Sequence, residues 1–305
     1  MNSSARHEKD GNPEEREKDG KPEEHEKSGK PEEKETSGLS AAGDFGLRFL
    51  KGSILPIAVI LFWQFCSHMG WLNSYILPPP SQIAERLAII AGNGELLRHV
   101  GISLYRVFYG FSLALIFALP LGFMVGLISG LRSYLSPSLS FFQQIPPIAW
   151  IPIFILWFGI GEASKIAIIV YSAFFPIFLN TLHGIANTDH KLKEVAYTYG
   201  LSYRSLITRV YLPSAAPSIF VGMRLGLSFC WRALVAAELL GASMGIGYLI
   251  QEGRAMAQSD LMLASVLVIG LIGLCFDFIF LKLEKHCLPW RERADKREVS
   301  TWSPS

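Results

Sequence analysis

Lys193-Glu-Val-Ala-Tyr-Thr-Tyr-Gly-Leu-Ser-Tyr-Arg-Ser-Leu-Ile-Thr-Arg-Val-Tyr-Leu-Pro213 carries two apolar faces with a glycine between them. Leu192, Val195, Ala196 and Tyr199 recur at helical spacing, and Leu201, Leu206, Ile207 and Val210 resume an apolar face beyond Gly200. Glycine takes the positive φ that ends a helix at little cost, and proline cannot continue a helical hydrogen-bond ladder. The spacing therefore predicts two short amphipathic helices meeting at a sharp turn at Gly200, with Pro213 closing the second.

Outward from this segment, which is bounded at about 184–217, the chain turns apolar on both sides. A bilayer core about 30 Å thick takes roughly 20 apolar residues of helix to cross. Six runs meet that requirement, at about 52–70, 104–129, 137–158, 164–183, 218–240 and 261–283. The expected fold class is an all-α membrane protein with six transmembrane helices, occupying 45–290. Pro146, Pro147 and Pro152 interrupt the third run. Broken helices survive at membrane depth only inside protein or beside a cavity, so this run is expected inside the bundle.

The whole-chain composition agrees and hides a division. Half of the 305 residues are hydrophobic, 18% are charged, and the mean hydropathy is +0.31, too apolar for an ordinary soluble domain of this length. Residues 1–38 hold 8 Lys/Arg against 12 Asp/Glu, in a nine-residue repeat that reads EKDGNPEER from Glu8, EKDGKPEEH from Glu17 and EKSGKPEEK from Glu26. With Pro and Gly in every unit and nothing apolar to bury, 1–44 is expected to be a disordered charged tail. It lacks the basic-then-apolar pattern of a secretory signal, so the first apolar run is expected to remain as an anchor.

Lys and Arg in the short flanks set orientation. With the N-terminus cytoplasmic, the inner segments hold thirteen, Arg132, Arg204 and Arg209 among them, and the outer ones four: Arg86, Arg98, Lys165 and Arg254. That asymmetry predicts both termini inside, with 291–305 a cytoplasmic tail and 184–217 a cytoplasmic loop. Outside, Leu77-Pro-Pro-Pro-Ser81 precedes an amphipathic stretch, which suits either a surface-lying helix or a cap. Gly122, Gly126 and Gly130 form a small-residue stripe suited to close helix packing within the subunit. Cys66, Cys230, Cys275 and Cys287 show no metal-ligand or Cys-x-x-Cys spacing, so packing is their expected role.

Glu194-Val-Ala196, Gly200 and Val210-Tyr-Leu212-Pro213, at these separations, resemble the EAA loop of the permease subunits of binding-protein-dependent ABC importers, with Val195 and Val210 as mild apolar departures. Ile151-Pro-Ile-Phe-Ile-Leu-Trp-Phe-Gly-Ile160, Gly222-Met-Arg-Leu-Gly226, Val235-Ala-Ala-Glu-Leu239 and Gly245-Ile-Gly-Tyr-Leu249 are similar to the branch importing nitrate, aliphatic sulfonates, taurine or bicarbonate. The resemblance implies the type I importer (MetI-like) fold in a bacterial cytoplasmic membrane. It also implies that the loop is a coupling helix seated on a cytoplasmic ATPase dimer. Glu194 would then offer a charge, Gly200 the turn and Ala196 close docking, with Leu212 and Pro213 completing the motif. Implied partners are that ATPase, a periplasmic or lipid-anchored substrate-binding protein and a second permease, expected as a homodimer, with no nucleic acid.

No Gly-x-x-x-x-Gly-Lys-Ser/Thr run is present to cradle phosphates, nor a Gly-x-Ser-x-Gly or His-Glu-x-x-His motif. The chain is expected to be no enzyme and to hold no cofactor, ATP being bound and hydrolysed by the partner. Charged residues at membrane depth are functional hypotheses. Arg232 and Glu238, six positions apart and so on different faces, are the pathway candidates, Arg232 favouring an anionic solute; Gln143, Gln144 and Asn180 are weaker ones. Glu238 and Asp277 equally suit hydrogen bonds between helices, and Arg224 near a span end suits snorkelling. The alternative function is an ion-coupled secondary transporter using Glu238 and Asp277 as ion sites. It leaves the 184–217 loop without a purpose.

Overall fold

Over the described residues each of the six apolar runs forms helix, though not all as straight crossings. The structure is a computed structural model and describes residues 54–289. The repeat tail at 1–44 and the tail at 291–305 lie outside the described residues. Helix α1 is Ile54–His68 and is followed by α2 (Pro80–Gly92), α3 (Glu95–Leu127), α4 (Ser129–Gln144), α5 (Pro147–Phe158) and α6 (Glu162–Ala186). Then come α7 (His190–Thr198), α8 (Tyr203–Leu206), a π-helical turn (Ile207–Tyr211), α9 (Leu212–Gly241), α10 (Ile246–Ala255) and α11 (Ser259–Cys287).

Among the described residues, four helical stretches are long and apolar enough to cross a membrane: α3, α6, the run Tyr203–Ala255 that contains α9, and α11. The third expected span is instead bent by 91° between Pro137–Gln144 and Pro147–Phe158. Its cause is the Pro146-Pro147 pair. A residue before proline is pushed out of the helical region, and Ile145 and Pro146 are both extended, with ψ of 116° and 138°. Pro147, which lacks an amide hydrogen, then opens α5 where no donor is missed. Only one face of α5 is enclosed: Ile151 and Phe154 are buried, while Leu156 and Trp157 are exposed.

The core is a three-helix layer with α6 in the middle, between α3 and α9. Lipid tails are as apolar as leucine, so close backbone approach, rather than burial from water, holds such helices together. Small residues permit it. A Cβ on Gly122 would lie 2.8 Å from the Phe178 carbonyl oxygen, and one on Gly126 2.8 Å from Ile185 Cβ. On the other side of α6, a Cβ on Gly222 would lie 2.6 Å from Asn180 Cβ, and one on Gly226 2.8 Å from Ile177 Cγ1. The glycine stripe of α3 thus packs within the subunit at Gly122 and Gly126, whereas Gly130 has open space around it. Val107, Ile169, Ile177, Phe178 and Leu234 fill the layer between these contacts.

The amphipathic stretch after Leu77 is α2. It buries Ile83 and Ile90, packs on α11 and sends Arg86 Nη2 to Gln258 Oε1 at 2.7 Å. It is therefore a cap over the start of α11.

Candidate functional site

Two sites sit at opposite ends of the α6–α9 pair. One is the segment joining the end of α6 to the start of α9. Asp189 caps α7 by accepting from the Lys191 amide at 2.9 Å. At the other end of α7 the chain turns through Gly200, φ +64°. The Leu201 amide reaches back to the Ala196 carbonyl at 3.1 Å and the Gly200 amide to the Tyr197 carbonyl at 3.0 Å. That pair of bonds is the Schellman closure of a helix. Ser202 then caps α8 through the Ser205 amide, and Lys193 lies over the Tyr211 ring at 5.6 Å, tying α7 to the π turn.

The expected knuckle is therefore present, with two revisions. Pro213 does not close the second helix. It stands in the first turn of α9, where a missing donor is tolerated. The π turn just before it, in which the Leu212 amide bonds to Ile207 five residues back, carries the chain through. Ala196, expected at the docking face, is 4% exposed, so its small size serves packing inside the chain. Glu194 is exposed, and among the described residues its carboxylate pairs with His190 one turn earlier, at 3.1 Å. Leu192, Val195, Tyr197, Tyr199 and Tyr203 are exposed beside it, as is Leu212. An exposed patch of aromatic and aliphatic side chains bordered by charge marks a protein or membrane contact.

The second site joins the start of α6 to the end of α9. His99, Ser103 and Arg106 follow one another by four and three residues, hence on one face of α3. Arg106 is 2% exposed. Its Nε and Nη2 grip the Glu162 carboxylate at 2.6 Å each, and its Nη1 donates at 2.7 Å to both Glu238 Oε1 and the Met244 carbonyl. Glu238, 1% exposed, also accepts from Ser103 Oγ at 2.8 Å and from the Gly247 amide at 2.9 Å. Ser103 Oγ accepts from the Ile246 amide, and Lys165 adds a second cation on Glu162 at 3.0 Å. Two cations thus face two carboxylates, which is how charge is tolerated away from water.

This clasp explains two glycines. A Cβ at Gly245 would collide with the Glu238 carboxylate, and Gly245 also holds φ +128°. A Cβ at Gly247 would lie 2.7 Å from Glu238 Cβ. His99 Nδ1 lies 3.0 Å from the Gly245 amide nitrogen, while its ring stacks on Tyr248 at 5.8 Å. Val235-Ala-Ala-Glu-Leu239 and Gly245-Ile-Gly-Tyr-Leu249, separate motifs in the sequence, are one object in space.

Of the two pathway candidates, Glu238 is thus a buried tie between helices. Arg232 is exposed, its guanidinium 5.4 Å from the Phe229 ring centroid. Arg224 and Asp277 pair at 3.0 Å. Gln143 and Asn180 come together in a groove of about 730 Å³ between α4, α6 and α9, with Arg132 and His183; Gln144 is not among its lining residues. Sequence reasoning missed Arg106, although an arginine two residues inside an apolar run, with His99 and Ser103 on its face, was the available signal.

A family model described as "Binding-protein-dependent transport system inner membrane component" matches residues 118–287. The chain is 38% identical over 242 residues to the "Putative aliphatic sulfonates transport permease protein SsuC" of Bacillus subtilis, covering 79% of this chain and 88% of that one. It is 33% identical over 244 residues to the "Taurine transport system permease protein TauC" of Escherichia coli, covering 78% and 89%. In structure it resembles a chain of the inward-facing MetNI methionine ABC transporter, with a TM-score of 0.51 at 19% identity, over 61% of this chain and 95% of that one. The helical layer, the Gly200 knuckle and these matches agree, and the chain belongs to the inner-membrane permease components of binding-protein-dependent ABC transport systems.

Proposed function

We propose that this permease moves a small anionic solute of the sulfonate, taurine, nitrate or bicarbonate class, driven by a separate cytoplasmic ATPase dimer seated on the knuckle between α7 and α8. A periplasmic or lipid-anchored binding protein delivers the solute, and two copies of the permease enclose the path. Both termini lie on the cytoplasmic side of the bacterial inner membrane, with 184–217 as the coupling loop. The observation that carries this reading is the knuckle's exposed patch around Glu194, set on a Schellman turn that holds α7 at a fixed angle to the start of α9. A rigid turn on the end of a long helix transmits displacement; a floppy loop would absorb it.

Relatives named for aliphatic sulfonates and for taurine support the solute class. Arg232 supports its sign, because an exposed cation on a pathway helix attracts anions. Membership of a binding-protein-dependent family leaves the ion-coupled alternative without support. The test is uptake by the complete importer, with its ATPase and binding protein, in proteoliposomes. Ethanesulfonate or taurine should accumulate only with ATP inside the ATPase-facing compartment and should be indifferent to a proton ionophore. Arg232→Gln should slow that uptake about fivefold or more, as loss of one charge-assisted contact does. Accumulation that follows the proton gradient, without need for ATP, would overturn the energy source.

A further inference from the structure

We infer that the groove between α4, α6 and α9 is the wall along which the solute leaves, and that Arg132 and His183 form its oxyanion-attracting mouth; this rests on the permease reading above. The groove is lined by Arg132 and Gln143 from α4, Asn180 and His183 from α6, Asn187 just beyond it, and Phe229 from α9. No aspartate or glutamate is among its lining residues. Hydrocarbon cannot satisfy such side chains, so a groove of this composition in a membrane protein holds water or a polar solute rather than lipid.

Its direction follows from the chain. Arg132 stands one turn into α4, just after α3 ends, and His183 and Asn187 stand at the end of α6, where the knuckle begins. The cationic end is therefore the knuckle's end. Gln143 and Phe229 also border a smaller cavity of about 140 Å³ reaching Tyr171 and Ser172, which lies farther from the knuckle along α6. Leu225, Phe229 and Arg232 follow one another by four and three residues on α9. Arg232 itself lines a separate cavity against α11, with Gly273 and Asp277.

The arginines that tie helices together are paired. Arg106 is neutralised by Glu162 and Glu238, and Arg224 by Asp277. Among the described residues, neither Arg132 nor Arg232 has a carboxylate within salt-bridge distance. A guanidinium without a carboxylate partner on the wall of an acid-free groove is suited to take up a mobile anion. Sulfonate, nitrate and bicarbonate all offer planar or trigonal faces of oxygen atoms that a guanidinium engages through two parallel N–H donors.

The phosphate of an anionic lipid headgroup offers the same chemistry at the knuckle's end of the groove, so the experiment separates the two. Uptake of ethanesulfonate by the complete reconstituted importer is measured for the parent protein, R132Q and R132K, in vesicles of phosphatidylcholine alone and with phosphatidylglycerol added. R132Q should lower the initial rate and the solute moved per ATP about tenfold in both lipids, as loss of a charged hydrogen-bond donor does. R132K, which keeps the charge and reports that the chain still folds, should lose less than about threefold. Equal rates for R132Q and the parent, or a loss seen only with phosphatidylglycerol, would overturn the inference while leaving the permease reading intact. A parent complex that hydrolyses ATP with its binding protein yet moves neither ethanesulfonate nor nitrate would overturn the anion reading, and this inference with it.

Discussion

Glu238→Ala should cost the fold about 3–5 kcal/mol, the range for breaking a buried ion pair by removing one partner. The carboxylate it deletes accepts from Arg106, from Ser103 and from the Gly247 amide, all enclosed. Its loss leaves a 2% exposed guanidinium with a single carboxylate and an amide with nothing to bond. Glu162→Ala removes two hydrogen bonds from the same guanidinium, yet the Glu162 side chain is 55% exposed. Water can replace that carboxylate, so its loss should cost only about 1 kcal/mol. Gly245→Ala should resemble the glutamate variant, because its methyl group falls on the Glu238 carboxylate and its backbone is held at φ +128°. In detergent, the unfolding midpoint of Glu238→Ala should fall by roughly 10 °C, with Glu162→Ala much closer to the parent protein. Equal shifts for the two glutamate variants would mean that burial does not decide the clasp's strength.

The second large effect concerns Gly200. Nothing lies within 4 Å of the position its Cβ would take, so substitution there meets no collision. The penalty is in the backbone: at φ +64° a β-branched side chain is a genuine outlier. Gly200→Val is expected to open the two Schellman bonds and let α7 swing, while Gly200→Asn, which tolerates the left-handed region, keeps much of the turn. ATP hydrolysis stimulated by the binding protein should fall about tenfold or more in the valine variant, at about 1.4 kcal/mol per tenfold of lost coupling. The asparagine variant should retain most of it. Because the strained residue lies outside the packed helices, thermal unfolding of the two variants should nearly coincide. A valine variant that couples as well as the parent would show that the turn's geometry is not what the ATPase engages.

Most of the helical content was legible from hydropathy, because lipid forbids unsatisfied backbone and leaves helix as the simple outcome for each apolar run. The bend was legible too, in Pro146-Pro147. The knuckle could be read from the spacing around Gly200, since a positive φ demands glycine there whatever surrounds it. What could not be read was pairing. Hydropathy marks Arg106 as two residues inside a span; only the packing of α3, α6 and α9 reveals that Glu162, 56 positions later, and Glu238, 132 positions later, converge on it. Ala196 failed for a related reason: a small residue suits both an external docking face and an internal contact, and one-dimensional periodicity does not choose. Pro213 misled because the π turn that accommodates it leaves no compositional trace.

What touches the knuckle decides whether a cytoplasmic ATPase drives this permease. With a photo-crosslinking side chain placed at Tyr197, which is exposed on α7, illumination of intact cells should yield an adduct of this permease with its ATPase, diminished by Gly200→Val. An adduct with the binding protein instead, or labelling of Tyr197→Cys by a membrane-impermeant thiol reagent from the outside of the cell, would contradict it.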